Sequence, residues 1–180
     1  MRKVVLGMNV TLDGYMGGPD GELDWMFPQF SEEYIRSTFA SFREMDTFLM
    51  GRVAYEGMAS YWPTATDEIA PIMNDAVKFV FSTSLAEVEW THAKVVSGNP
   101  VALITELKGQ DGRNIGIAGG SRFAQQIIAA DLIDEYRLAI HPVALGVGLR
   151  LFPGRCVLTL VHSENFDPGL TVNTYRRSGS

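Results

Sequence analysis

The sequence predicts a single α/β domain built on a mainly parallel sheet, with helices on both faces and an antiparallel hairpin at its C-terminal edge. Short β-rich apolar runs alternate with segments of helical apolar spacing along most of the chain. The last two apolar runs flank an Asp-Pro-Gly turn, which is typical of a hairpin. The 180 residues suffice for one well-buried core and are few for two, so we expect one domain over 1–180.

The N-terminal segment is predicted to contain a strand, a glycine-rich loop and a helix. The strand covers 3–14, a mostly apolar run that closes with Asp-Gly and so leads into the loop 13–25. The helix covers 31–45, because Ser31 is a favourable N-cap, acidic residues follow it, and large apolar residues recur on one face.

The middle of the chain continues the alternation of strands and helices. In order, we predict a strand over 46–51, a short helix or turn over 52–62, a helix over 66–76, and strands over 78–83 and 93–97. Pro71 falls inside the helix predicted over 66–76 and weakens that prediction, because proline interrupts helical hydrogen bonding.

The C-terminal segment completes the alternation and adds the hairpin. The predicted elements are a helix over 100–109, a strand over 114–119, a helix over 121–132, a strand over 134–145, and hairpin strands over 156–166 and 169–177. Pro100 suits the first turn of its helix.

Composition and charge limit the classes of function. The net charge of −6 argues against a broad phosphate-binding surface, so we expect no nucleic-acid partner. The apolar runs are shorter than the ~20 residues that span a bilayer, and the N-terminal residues do not resemble a secretion signal. With a single cysteine, Cys156, the chain has no internal disulfide, and we expect a cytoplasmic location without membrane association.

Two strand-to-helix turns contain glycine and are candidates for binding an anion. One is Gly51, followed by Arg52; the other is Gly119 and Gly120, followed closely by Arg122. Glycine lets a phosphate approach the backbone, and helix N-termini and arginine supply positive charge. A glycine at such a junction also occurs for purely conformational reasons, and neither turn matches the standard GxGxxG or phosphate-loop motifs.

The loop 13–25 is a candidate lid over a reacting group. Its glycines favour mobility, its carboxylates include Asp13 and Asp24, and its aromatic residues Tyr15 and Trp25 suit stacking on a flat ring. The alternative is a solvated surface loop with Trp25 packed in the core.

Metal and nucleophile chemistry receive no support from the sequence. The three histidines, at positions 92, 141 and 162, have no metal-ligand spacing, and no serine lies in a GxSxG motif. His141, which precedes Pro142 at a predicted strand end, is interpreted as a structural residue. We therefore predict no metal site.

Five stretches together resemble the dihydrofolate reductase superfamily, and most closely the branch that includes the C-terminal reductase domain of the bacterial bifunctional riboflavin-biosynthesis deaminase-reductase. They occur in the family's order over nearly the whole chain and are GMNVTLDGYMGG, FLMGRVAYEGM, KFVFSTSL, IGIAGGSRFAQQII and IHPVALGVGLRLF. The resemblance implies a three-layer dihydrofolate reductase-like fold that binds NADPH and reduces a small molecule.

The resemblance also implies roles for individual residues. Those expected to contact NADPH are Leu12, Gly17, Gly51, Arg52, Val53, Ser82, Thr83, Gly119, Gly120, Ser121, Arg122 and Phe123. Asp13, Trp25 and Asp24 are the candidate catalytic residues beside the nicotinamide and the substrate.

The sequence departs from the family in two places. Ala54 stands where the family's GRxTYE-like turn has a threonine, and MFPQF, after Trp25, lacks the carboxylate with which dihydrofolate reductases bind the pterin. The second departure argues against efficient folate reduction.

The leading hypothesis is therefore an NADPH-dependent reductase of a pterin-, pyrimidine- or ribose-derived substrate. The alternatives are a non-catalytic nucleotide- or ligand-binding protein that retains the fold, and a dimeric scaffold that binds no nucleotide. We expect a homodimer, since the β-rich segments near the C-terminus offer apolar surface and dimers are the commonest oligomers.

Overall fold

The computed structural model describes residues 1–178, so the last two residues of the predicted domain, 179–180, lie outside the described residues. These described residues contain ten strands: β1 (Val4–Thr11), β2 (Tyr15–Gly17), β3 (Met45–Gly51), β4 (Val77–Phe81), β5 (Ala93–Val96), β6 (Asn114–Ile117), β7 (Glu135–His141), β8 (Leu149–Arg150), β9 (Leu158–Phe166) and β10 (Leu170–Arg177). Eight of them form the central sheet in the order β5-β4-β3-β6-β1-β7-β10-β9.

The central sheet is mainly parallel, as predicted. Every neighbouring pair from β5 through β7 is parallel, whereas β10 is antiparallel to both β7 and β9. The predicted C-terminal hairpin is thus confirmed as β9 and β10. The parallel strands bring the carboxyl ends of β4, β3, β6 and β1 to one edge of the sheet in that order.

In the described part of the chain, five α-helices cover the sheet on both faces: α1 (Glu32–Arg43), α2 (Arg52–Tyr61), α3 (Ala70–Asp75), α4 (Pro100–Gly109) and α5 (Ser121–Ala129). Apolar side chains of α4 and α5 pack with Val4, Leu6 and Ile115 on one face. Those of α1, α2 and α3 pack on the other face with Val5 and Phe48. Adjacent residues of β1 therefore point into opposite cores, which is the three-layer arrangement the sequence predicts.

Two element boundaries differ from the prediction because of proline. The predicted strand 134–145 ends at His141, since Pro142 has no N–H with which to continue the ladder. The predicted helix 66–76 is reduced to α3, which has Pro71 in its first turn, the position where proline is tolerated.

A second, two-stranded sheet was not predicted. β2 pairs with β8 in antiparallel orientation, with Tyr15 opposite Arg150 and Gly17 opposite Leu149. Strands of three and two residues are too short to produce a periodic apolar pattern.

Within residues 1–178, no helix combines the length and the apolar character needed to cross a lipid bilayer.

Candidate functional site

The predicted cofactor residues lie along the edge where four parallel strands end. Gly51 closes β3 opposite Phe81, the last residue of β4, and Ser82 and Thr83 follow directly. Gly119 and Gly120 follow β6, which lies between β3 and β1. From the end of β4 to the end of β1 this edge extends over three strand spacings, or roughly 14 Å, so it suits an elongated ligand.

Two helices begin side by side at this edge without a side-chain cap. The N-cap residues are Gly51 for α2 and Gly120 for α5, and neither supplies a capping hydrogen bond. By contrast, Ser31 caps α1 and Asn99 caps α4 through side-chain oxygens. The first N–H groups of α2 and α5 are therefore left for an anion, and both helix dipoles favour negative charge there.

The double glycine has a conformation that other residues rarely adopt. Gly119 and Gly120 have φ values of +70° and +83°, in the region that disfavours a Cβ atom. A Cβ on Gly120 would lie 3.8 Å from the backbone nitrogen of Gly51, which shows how closely the two turns approach. A Cβ on Gly119 would lie 3.4 Å from that of Ala54. The sequence therefore needs both glycines to bring the two helix starts together.

Charged side chains supplement this backbone site. Arg52 forms an ion pair with Glu56, with Nη1 at 2.8 Å from Oε1, and remains partly exposed. Arg122 is exposed in the first turn of α5. The guanidinium of Arg122 is therefore accessible to an anion at the helix start.

The other predicted cofactor residues are split between exposed and packed positions. Thr83 is exposed and Val53 is 69% exposed, whereas Phe123 is buried and stacks on Phe81 with the ring centroids 4.9 Å apart. The Ser82 hydroxyl accepts hydrogen bonds from the N–H groups of Ser84 and Leu85. The same oxygen lies 3.3 Å from the Ser84 hydroxyl oxygen, and either hydroxyl can be the donor, so one of the two protons stays available to a ligand.

At the end of β1, Asp13 connects two loops. Its carboxylate accepts hydrogen bonds from the Thr11 hydroxyl at 2.6 Å and from the N–H groups of Gly146 and Leu145 at 2.7 and 3.2 Å. These bonds, first of all the one from Thr11, lower the pKa of Asp13. Asp13 therefore holds its negative charge and is a poor source of a proton.

Further contacts join the same two loops. The Tyr15 hydroxyl donates to the carbonyl oxygen of Gly146, and the Leu151 N–H donates to that of Gly14. Gly17 is buried within β2, Leu12 is 67% exposed, and Asp24 is exposed. Residues 13–17 and 145–151 thus form one connected unit beside the strand ends.

An opening in the helix layer lies over β1. Gly7 is exposed although β1 is a central strand, and a Cβ placed on it would meet nothing within 4 Å. Gly7 lies two residues after Val5 in β1, and residues two apart in a strand point to the same face. Gly7 therefore faces the layer of α1, α2 and α3. This opening, the Gly7 cleft, is adjacent to the end of β6, because Ile117, the last residue of β6, pairs with Leu6.

Beside the Gly7 cleft, a cluster joins Trp25, a predicted catalytic residue, to four residues that the sequence did not identify as a site. We call Asn9, Trp25, Phe30, Tyr34 and His141 the β1–α1 cluster. Asn9 lies two residues beyond Gly7 on the same face, and its Oδ1 is 2.8 Å from both the Tyr34 hydroxyl and Nε2 of His141. The Trp25 and His141 rings meet edge to face at 5.1 Å.

His141 is fully buried in this cluster. Burial lowers the pKa of His141 to about 4, because charging the imidazole away from water is costly. The interpretation of His141 as a structural residue agrees with this burial. Phe30 lies 5.1 Å from the Tyr34 ring and 6.0 Å from the His141 ring, so aromatic packing occupies the region in which the sequence lacks an acid.

A cavity of about 790 Å³ lies at the opposite edge, at the amino-terminal end of β1. Its Lys108 pairs with Asp134 at 2.7 Å and its Lys3 pairs with Glu135 at 3.3 Å. Because these charges are already neutralised, we place the candidate site at the carboxyl ends of the strands.

Comparison with known proteins identifies the family. The model of the RibD C-terminal domain matches residues 2–172. The chain belongs to this family. The resemblance inferred from the five sequence stretches is confirmed.

Other proteins are similar to this RibD C-terminal domain over almost their whole length. The uncharacterized protein YyaP of Bacillus subtilis is 32% identical over 189 residues, which cover 99% of this chain and 96% of YyaP. A protein of Shewanella sp. PV-4, provisionally assigned to riboflavin biosynthesis, has a crystal structure with a TM-score of 0.79 at 25% identity, covering 98% of this chain and 99% of the other.

A third similarity confirms the fold. Dihydrofolate reductase from Enterococcus faecalis, solved with NADP(H) and the compound RAB-propyl, superposes with a TM-score of 0.66 at 19% identity, over 98% of this chain and 96% of the other. The RibD C-terminal domain described here therefore has the dihydrofolate reductase-like fold.

Proposed function

We propose that the protein is an NADPH-dependent reductase that transfers hydride to a pterin-, pyrimidine- or ribose-derived small molecule. The observation that carries this proposal is the pair of uncapped helix starts, α2 and α5, which meet at the glycine turns. Membership of the RibD C-terminal domain family supports an oxidoreductase. The dihydrofolate reductase neighbour, solved with NADP(H), supports a nicotinamide cofactor.

The residues at the strand ends fit a dinucleotide. Gly51, Arg52 and the turn at Gly119–Gly120 would hold the phosphates, because free backbone N–H groups, helix dipoles and a cation converge there. Ser82 and Thr83, two strands from β6, would contact the adenosine ribose and its phosphate. Bound NADPH supplies the hydride, and the protein supplies binding and orientation.

The Gly7 cleft would hold the substrate beside the end of β1. Trp25 and Phe30 would exclude water from part of its wall. Since the lowered pKa of Asp13 keeps its carboxylate ionised, we propose that the proton that accompanies hydride transfer comes from water. Asp13 would then act by holding the two loops together beside the nicotinamide.

Cofactor binding is the first test of this proposal. NADPH at a hundredfold excess over its dissociation constant should raise the melting temperature by roughly 5–10 °C, because a ligand that binds only the folded state stabilises it. Arg122→Gln should weaken NADPH binding by roughly tenfold through loss of a charge-assisted contact. Differential scanning fluorimetry and calorimetric titration measure the two effects.

The matched control is Arg176→Gln. Arg176 lies on β10, where it is 3.7 Å from Glu135 at the opposite edge of the sheet, and its loss should not change NADPH affinity. Absence of any NADPH binding would refute the proposal. Binding without NADPH oxidation across folates, aminopyrimidine ribosides and small carbonyl compounds would instead favour the non-catalytic binding protein.

We also propose that the protein is a homodimer that associates through β9. This strand is the last in the sheet order, so among residues 1–178 one side of its backbone has no partner strand, and Leu160 and Val161 are 52% and 49% exposed on it. Analytical ultracentrifugation should show a dimer that Leu160→Lys with Val161→Lys converts to a monomer. Val147→Lys changes a side chain that is 62% exposed in a loop and should leave the dimer intact. A wild-type monomer would contradict this proposal.

A further inference from the structure

We infer that Asn9 presents its side-chain N–H groups to the Gly7 cleft and selects substrates that offer a carbonyl oxygen there. The inference rests on the proposed function in one respect, namely that the Gly7 cleft is the substrate site. It makes Asn9 a specificity-determining residue, and it follows from a chain of hydrogen bonds that fixes which way the Asn9 amide is turned.

This series of hydrogen bonds begins at Gln29. One end of its side-chain amide lies 2.9 Å from the carbonyl oxygen of Trp25 and 3.3 Å from that of Met26. Two acceptors at this end require the amide nitrogen, which donates to both. This same end of the amide lies 3.4 Å from Nδ1 of His141.

The orientation of Gln29 determines the tautomer of His141. Because an amide nitrogen cannot accept a hydrogen bond, Nδ1 of His141 turns a lone pair toward it, and the proton of the neutral ring is on Nε2. The low pKa of about 4 keeps the ring in this neutral form near neutral pH. Nε2–H therefore donates to the Asn9 side-chain atom 2.8 Å away, which must be the carbonyl oxygen, Oδ1.

The Tyr34 hydroxyl donates to the same oxygen, also at 2.8 Å. Two donors thus occupy Oδ1 and hold the amide plane from two sides. Within residues 1–178, the Asn9 nitrogen Nδ2 forms no hydrogen bond, and it is not among the buried polar atoms that lack a partner, so it reaches the surface. An immobilised donor pair is therefore accessible on the face of β1 that also carries Gly7.

This arrangement is complementary to an acceptor. A ring edge that bears amino groups would place donors against the Asn9 donors. The carboxylate of Asp13, beyond the end of β1, would be the acceptor for such amino groups, but it already accepts three hydrogen bonds, from Thr11, Leu145 and Gly146. A ring edge that bears a carbonyl oxygen satisfies the Asn9 N–H groups directly.

A matched pair of ring compounds tests the inference by calorimetric titration near neutral pH. Pteridine-2,4-dione carries carbonyl oxygens where 2,4-diaminopteridine carries amino groups, and the two have the same bicyclic ring. The wild-type protein should bind the dione at least about fivefold more tightly, the factor expected for one hydrogen bond.

The variant Asn9→Asp keeps the shape of the side chain and replaces the outward N–H groups with an acceptor oxygen. Tyr34 and His141 can still donate to the inward oxygen, so the fold should be retained. The preference should reverse in favour of the diamino compound, again by at least about fivefold. Asn165→Asp adds the same charge at an exposed position on β9 and should leave the wild-type preference unchanged.

Titrations with and without saturating NADP⁺ separate this inference from the proposed function. A dione preference that Asn9→Asp reverses supports the role of Asn9, even if NADP⁺ proves not to bind. Equal binding of the two compounds, a wild-type preference for the diamino compound, failure of the wild type to bind the dione, or an unchanged preference in Asn9→Asp would each overturn it.

Discussion

Replacing Gly120 with valine is expected to reduce NADPH affinity by roughly a hundredfold, because the loss of two backbone hydrogen bonds to a phosphate costs about 3 kcal/mol. At a φ of +83° a β-branched residue is strained, and relief of that strain would move the turn away from Gly51. The fold should persist with a loss of about 1–3 kcal/mol in the free energy of unfolding. Titration with NADPH and denaturant unfolding measure the two quantities separately.

Gly154→Val is the matched control for this substitution. Gly154 lies in an exposed bend, its φ is not positive, and a Cβ on it would meet nothing within 4 Å. Its replacement should leave NADPH affinity unchanged. Equal affinity of Gly120→Val and the wild type would show that the α5 start does not bind the cofactor.

The stability of the protein should fall as the pH decreases from 6.5 to about 4, in part because of His141. The pKa of His141 is about 4 in the folded state, below its ordinary value of 6.5, so within this range the unfolded chain binds a proton that the folded chain does not. Acidification therefore favours unfolding, by up to about 3 kcal/mol from this residue. His141→Gln should remove that part of the pH dependence, whatever its effect on stability at neutral pH.

Denaturant unfolding over this pH range measures the effect. His162→Gln removes an exposed histidine from β9 and should retain the slope of the wild type. If His141→Gln showed the same slope as the wild type, the imidazole would have to be accessible to protons in the folded state.

Much of the fold could be predicted because its signals are local. Short apolar runs alternate with segments whose apolar residues recur at helical spacing, and this alternation predicted the order of strands and helices. The Asp-Pro-Gly turn predicted the hairpin of β9 and β10. Two boundary errors occurred where proline constrains the backbone. Pro142 ends β7 although apolar residues continue beyond it, and Pro71, in the first turn of α3, goes with a helix that begins only at Ala70.

The candidate site likewise has one part with a local sequence signal and one part without. The glycine turns at Gly51 and Gly119–Gly120 have a local signal, and the structure brings them together. The β1–α1 cluster joins Asn9 to His141, which are 132 positions apart, and no local pattern relates two such residues. The sequence signal was indirect: Asn9 is a polar residue within the mostly apolar β1, and His141 closes β7 directly before Pro142.

The connection between residues 13–17 and 145–151 has a consequence for how a ligand enters. A flexible lid loses about 1–2 kcal/mol of backbone entropy for each residue that a ligand orders. Here Asp13 and Tyr15 already join the two loops through Leu145 and Gly146, so much of that ordering is completed during folding. The binding energy of a ligand at this edge can then contribute to affinity instead of closing a lid.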